Sequence, residues 1–306
     1  MKAPVLSSTA LKLFSGSVTT LDIEGGSVRL LVARGRRVTD WGIELLEPDL
    51  VADGVVADAQ AVGTHIKSMM ASHHVRNGKL IASLTGQRSV HRILKFPQMK
   101  AQLLREAIPR EMRREMPVSL AEMHVSWQII GAENAGNGHM RVFALGVQRD
   151  ILGPQVEAIK LAGRKPDSMD IKPLALVRAV GKRDALIADL EPESIDVIVV
   201  REAIPAIIRT VSLRYEFSEV EYKVRRLAEE LARTVKFYSD TNREDPLPPS
   251  TPVCLTGSLA EEVASSGFVE ASVSYPVAPL SPPLECPPDL PVATFMVNMG
   301  LALKEA

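Results

Sequence analysis

Two aspartates, Asp22 and Asp189, occupy matching places in an internal repeat, and each stands just before a turn. The first copy reads Asp22-Ile23-Glu24-Gly25-Gly26-Ser27-Val28-Arg29 and runs on to Arg34. The second reads Asp189-Leu190-Glu191-Pro192-Glu193-Ser194-Ile195-Asp196 and runs on to Arg201. An acid beside a tight turn can hold a magnesium ion or its water shell, and glycine lets backbone N–H groups approach a phosphate without a Cβ in the way. The same aspartates could instead cap their turns through Asx-type hydrogen bonds, which would equally explain their duplication. For Arg29 a phosphate contact is open, but an exposed strand position is the simpler expectation.

Other constellations carry less. His73 and His74 are adjacent, and successive side chains on a helix point about 100° apart, so the pair does not converge on a metal. His65 and His91 add no third ligand at motif spacing. No serine or cysteine has a neighbouring catalytic pattern. Arg110, Arg113 and Arg114 alternate with Glu106, Glu111 and Glu115, as on a solvated helix with charge pairs. Met99, Met112 and Met116 read as core filler, with a peptide groove as the alternative use of adaptable side chains. Cys254 and Cys286 lack metal-ligand spacing and suit a reducing compartment.

The elements that must position these residues follow from periodicity. Each repeat copy reads strand, tight turn, strand, with a further extended piece after it, Val38 to Leu46 and Ile204 to Leu213. Helical spacing covers Ala59 to Ser72, Pro154 to Ala162 (stopped by Gly163) and Val220 to Tyr238. Lys100 to Met116 is helical too, with Leu103, Leu104, Ala107, Ile108 and Met112 as its apolar face and Pro109 expected to bend or restart it. Strands are expected at Leu80 to Thr85, Val125 to Ile130, Met140 to Val147 and Val253 to Thr256, with a loop over Gly131 to Gly138. With 306 residues, 46% of them apolar and 24% charged, the chain suits a folded body of two lobes. A formal net charge of −1 gives no reason to expect nucleic acid as a partner. No apolar run approaches the roughly 20 residues that span a bilayer.

Taken in order, these segments resemble the PilM family of type IV pilus assembly proteins, within the actin/FtsA fold. The resemblance rests on Asp22 to Arg29, on Leu94-Lys95-Phe96-Pro97-Gln98-Met99, and on Glu115-Met116-Pro117 with Trp127-Gln128-Ile129. It continues through Ala162 to Pro166, Met169 to Leu176, Glu230 to Tyr238, Leu255-Thr256-Gly257-Ser258 and Asn298 to Leu303. It implies an α/β, actin-like duplicated two-lobe fold with an inserted 1C subdomain. Residues 1–17 would be a leader, 18–87 and 174–187 the first lobe (1A), 88–173 subdomain 1C, and 188–306 the second lobe (2A/2B). The resemblance further implies an ATP and magnesium cleft. Its contacts would be Asp22, Gly25, Gly26, Ser27, Arg29, Asp189, Thr256, Gly257 and Ser258, with Asp22 and Asp189 toward the metal.

Departures from the family pattern weigh against that cleft. Glu24 and Glu191 stand where the pattern has glycine, Pro192 removes an N–H, and Gly257 is single where a pair is usual. Two like charges about 4 Å apart repel by about 4 kcal/mol at an effective dielectric near 20. The expectation is therefore a scaffold with weak or absent ATPase activity. Its partner would be the N-terminal tail of a PilN-like inner-membrane protein, with self-association and a motor ATPase as further contacts. It would lie in the cytoplasm, peripheral to the inner membrane through that partner. The alternatives are an active actin-superfold ATPase, a small-metabolite kinase, or a divisome-type FtsA relative.

Overall fold

In a computed structural model the described residues are 16–75, 78–115, 120–133, 138–213 and 219–304. The leader expected before Ser17 therefore lies almost wholly outside the described residues, as does Met116. Contacts divide the chain into two compact units, residues 88–153 and the sequence on either side of them.

The larger unit begins with the first repeat copy as a hairpin, β1 (Ser17–Glu24) and β2 (Ser27–Arg34), and β3 (Arg37–Leu45) returns beside β2. A small ribbon, β4 (Val51–Ala52) and β5 (Val55–Val56), leads to α1 (Ala59–Ser72). Asp58 caps α1 by accepting the Gln60 and Ala61 amides, each at 2.9 Å. The chain then enters β6 (Lys79–Leu84), parallel to β1.

The smaller unit holds β7 (Ser89–Pro97), α2 (Ala101–Glu115), β8 (Met123–Glu133) and β9 (His139–Gln148), with an antiparallel sheet of order β7-β9-β8. Leu104, Ile108 and Met112 recur every fourth residue on α2 and pack on Leu94, Phe96, Val142 and Ala144. One expectation is narrowed here and another corrected. The helix runs through Pro109 without restarting, because the carbonyl left without its N–H belongs to exposed Arg105, where water can satisfy it. Leu103 is 56% exposed and is not part of the buried stripe. The strands are also longer than expected: β8 extends through Gly131 to Glu133, and residues 134–137 of the expected loop lie outside the described residues.

The chain returns through α3 (Arg149–Leu161), β10 (Ser168–Ile171) and α4 (Lys172–Val180). The second repeat copy then forms β11 (Ala185–Leu190) and β12 (Ser194–Arg201), followed by β13 (Ile204–Ser212). After α5 (Val220–Thr241) comes β14 (Val253–Thr256), parallel to β11. Three short helices close the chain, α6 (Ala260–Ser266), α7 (Phe268–Ser272) and α8 (Met296–Ala302).

The duplication is thus architectural. Meander, helix, parallel strand describes β1-β2-β3-α1-β6 and again β11-β12-β13-α5-β14, giving sheets of order β10-β6-β1-β2-β3 and β13-β12-β11-β14. Helices α1 and α3 share the first sheet's outer core, with Val62, Ile66, Met69, Ala158 and Ile159 against Leu21, Leu30 and Leu80. Helix α5 covers the second sheet through Val224, Leu227, Ala228 and Leu231. Between the sheets, α4 touches strands of both and packs on α8. A Cβ at Gly300 would run into the Ala175 backbone, so glycine sets how closely those helices approach.

The boundaries differ from the sequence reading in two places. The inserted unit ends at Gly153, whereas the expected segment reached residue 173. Residues 168–171 pair with β6 in register from Ser168↔Ile81 to Ile171↔Leu84, which ties them to the first sheet. Helix α8, expected with the second lobe, packs on β1, β2 and β6 of the first.

Candidate functional site: a charged seam between the two repeats

The turns of the two hairpins meet each other. Strand pairing sets Asp22 opposite Arg29 in the first copy and Asp189 opposite Asp196 in the second. Each leading aspartate is held by a hydroxyl from the parallel strand beside it: Ser83 Oγ donates to Asp22 at 2.5 Å, and Thr256 Oγ1 donates to Asp189 at 2.7 Å. Asx capping of the turns is therefore not their bonding. Both aspartates lie within strands and bond sideways.

Arg29 corrects an expectation more sharply. It is 3% exposed, because its guanidinium reaches across to the second copy and grips Glu191 with both terminal nitrogens, at 2.7 and 2.5 Å. Glu191 also accepts from the Ser258 amide at 3.2 Å and the Ser258 hydroxyl at 2.6 Å. Burial pushes the Glu191 carboxyl up, but Arg29 and Ser258 outweigh it and hold the acid down at about 2.

The residue that sequence reasoning left without a role is Lys172. It opens α4, is 2% exposed, and its Nζ lies 2.9 Å from Asp189, 3.1 Å from Glu24 and 3.6 Å from Asp196. Burial alone would strip its proton, yet Asp189, Glu24 and Asp196 hold it well above the usual lysine range. Glu24 accepts from Ser194 at 2.8 Å, and Asp196 accepts from Thr210. Burial raises the carboxyl of Asp22 to about 6 and that of Asp196 to about 7, against the pull of the nearby cations. The signal for Lys172 was an excess of acid at matched positions, Asp22, Glu24, Asp189, Glu191 and Asp196, with Arg29 alone among them to balance it.

The remaining predicted positions fall around this network. Gly25 is buried and Gly26 exposed, Ser27 is buried opposite Glu24, and Gly257 donates its amide to Ala293 at 3.1 Å. Whether ATP and magnesium fit can be tested on these contacts. A Cβ placed on Gly25 would collide with the Glu193 carboxylate, so the close approach that glycine allows is taken by the opposite turn. Arg29 and the Ser258 donors are engaged by Glu191, and Lys172 stands among the acids that would face a metal. As these side chains stand, the seam does not fit a triphosphate and its magnesium.

The histidines do other work. His65 bridges Glu44 at 2.6 Å and Glu47 at 2.8 Å, and His73 meets Asp40 at 3.0 Å, tying α1 to β3 and the residues after it. In the smaller unit, a groove of about 500 Å³ is lined by Gln98, Met99, Lys100, Ile129, Gly131 and Met140. Met99 therefore faces a groove, whereas Met112 is core. Among the described residues no helix is long and apolar enough to cross a membrane.

Comparison with known proteins adds identity to geometry. The family model described as type IV pilus assembly protein PilM matches residues 21–207. No curated protein sequence matches. Among solved structures, the fold is similar to one from the PilM-PilN type IV pilus biogenesis complex, with a TM-score of 0.74 at 18% identity over 96% of this chain and 99% of that one. It is similar to the ethanolamine utilization protein EutJ from Carboxydothermus hydrogenoformans, with a TM-score of 0.55 at 11% identity over 98% and 94% of the two chains. A third is the cytoplasmic domain of EpsL, an inner membrane component of the Vibrio cholerae type II secretion system, with a TM-score of 0.52 at 14% identity over 94% and 95%. These likenesses establish the actin-like fold.

Proposed function

Since the chain belongs to the PilM family of type IV pilus assembly proteins, we propose that it is a cytoplasmic scaffold of a pilus or related secretion or DNA-uptake machine. It would act by binding the N-terminal tail of a PilN-like inner-membrane protein, and membrane association would be borrowed from that partner. The family match carries this reading. The full-length likeness to a protein solved as a PilM-PilN complex supports it. For the tail we propose the groove of the smaller unit, where Met99, Met140 and 44%-exposed Ile129 offer adaptable apolar contact beside the polar Gln98 and Lys100.

The interlobe cleft, on this proposal, is structural, its nucleotide-binding turns degenerate. A catalytic ATPase or kinase would need open phosphate turns and a placed base, whereas Lys172 is paired directly with Glu24, and Glu24 and Glu191 are taken up across the seam by Ser194 and Arg29. Calorimetry with a synthetic peptide of the PilN-like tail tests the scaffold reading. Binding at tens of micromolar or tighter, weakened at least several-fold by Ile129→Glu, is expected. Absence of binding at those concentrations would refute it. ATP turnover above background, lost in Asp22→Ala and Asp189→Ala, would replace the scaffold with an enzyme.

A further inference from the structure

The degenerate cleft poses a physical question: what takes the place of the anion and the cation around which such turns close? Arg29 is a buried guanidinium whose Nη1 and Nη2 point out of the first copy. Ser258 contributes an amide and a hydroxyl from the turn after β14. Four donors thus converge on one point from two lobes, which is the donor set of a phosphate or carboxylate cradle. The group held there is the Glu191 carboxylate. Lys172 converges in the complementary sense, a single ammonium among Asp189, Glu24 and Asp196.

We propose that this seam is self-liganded: Glu191 fills an anion cradle formed by Arg29 and Ser258, and Lys172 supplies the cation, so the lobes close on side chains instead of on a nucleotide and its metal. The inference deepens the reading of the cleft as structural and rests on it. Its consequence is that the cradle is real but occupied. Empty it, and it becomes an anion site.

Deleting the Glu191 side chain beyond Cβ removes a CH₂–COO⁻ group, which has the same heavy atoms as acetate. In the full-length Glu191→Ala protein, millimolar acetate should therefore raise the melting temperature saturably by several degrees, beyond equal chloride, and inorganic phosphate should do so as well. Wild type should show neither effect. Glu191→Gln, whose amide still occupies the cradle, should fold and remain unresponsive. If Glu191→Ala responds to acetate and phosphate no more than to chloride, the cradle is refuted while the structural reading of the cleft stands. A saturable shift of wild type with ATP and magnesium would refute both. That wild-type titration, together with Glu191→Gln, decides the matter if Glu191→Ala does not fold. A wild type indifferent to ATP with an equally indifferent Glu191→Gln supports the occupied cradle, and a Glu191→Gln protein stabilised by phosphate overturns it.

Discussion

Across its two strands the first hairpin sets Asp22 opposite Arg29, while the second sets Asp189 opposite Asp196. The flanking chemistry is otherwise shared: Glu24 and Glu191 follow at the same offset, and Ser83 and Thr256 hold the leading acids from equivalent parallel strands. One position of the repeat has therefore exchanged a cation for an acid. The first hairpin faces the seam with Asp22, Glu24 and Arg29, and Lys172 enters it from α4 between the sheets. The second faces it with Asp189, Glu191 and Asp196. Among the described residues, only the first of the two hairpins brings a cation to the seam, Arg29. The second hairpin buries its three acids against Arg29 of the first copy and Lys172 of α4, so the seam binds through an uneven split of charge between copies that share a backbone.

Breaking that split at its centre should have the largest effect. Lys172→Met leaves buried Asp189 and Asp196 and partly buried Glu24 with no ammonium among them, and orphaning buried charge costs about 3–5 kcal/mol. Urea denaturation should show that loss in the midpoint. A loss under about 1 kcal/mol would mean that the acids are neutral without Lys172. Next in size is the serine comparison. Ser194 donates to Glu24, whereas the partner of Glu191 is Ser258 and not the equivalent Ser27. Ser194→Ala and Ser258→Ala should each cost about 1–2 kcal/mol, and Ser27→Ala distinctly less. Equal losses at all three would show that the copies are symmetric after all.

The smallest effect lies outside the seam. Glu44 and Glu47 raise the pKa of His65 against partial burial, so the folded value exceeds the unfolded one. The stabilisation is fully present below the unfolded value near 6.5 and fades as pH rises through the higher folded one. Both partners are partly or wholly exposed, so His65→Gln should shift the melting temperature only slightly below pH 6 and not at all at pH 9. An effect that grows with pH would contradict the assignment.

Much of this was legible in the chain. The duplicated Asp-x-Glu turns gave the two hairpins, and the 3.6 and 2.0 periodicities gave α1, α5 and the strands after each meander. Boundaries at the insertion were harder to read, since residues 168–171 owe their place to pairing with β6, a partner nearly ninety residues earlier. The burial of Arg29 was invisible for a related reason. Alternation marks which strand residues face inward, but a charged residue faces inward only when a partner waits, and Glu191 lies 162 residues away. Lys172 could have been sought from charge balance, although nothing local announces a lysine as core.

A double-mutant cycle across Arg29 and Glu191 tests the seam most directly. Each single change to methionine strands a buried charge, and the account predicts a loss of about 3–5 kcal/mol for each, with Arg29→Met/Glu191→Met recovering most of it because apolar groups of similar length replace both ions. Strictly additive losses in the double variant would mean that the two residues do not hold the lobes together.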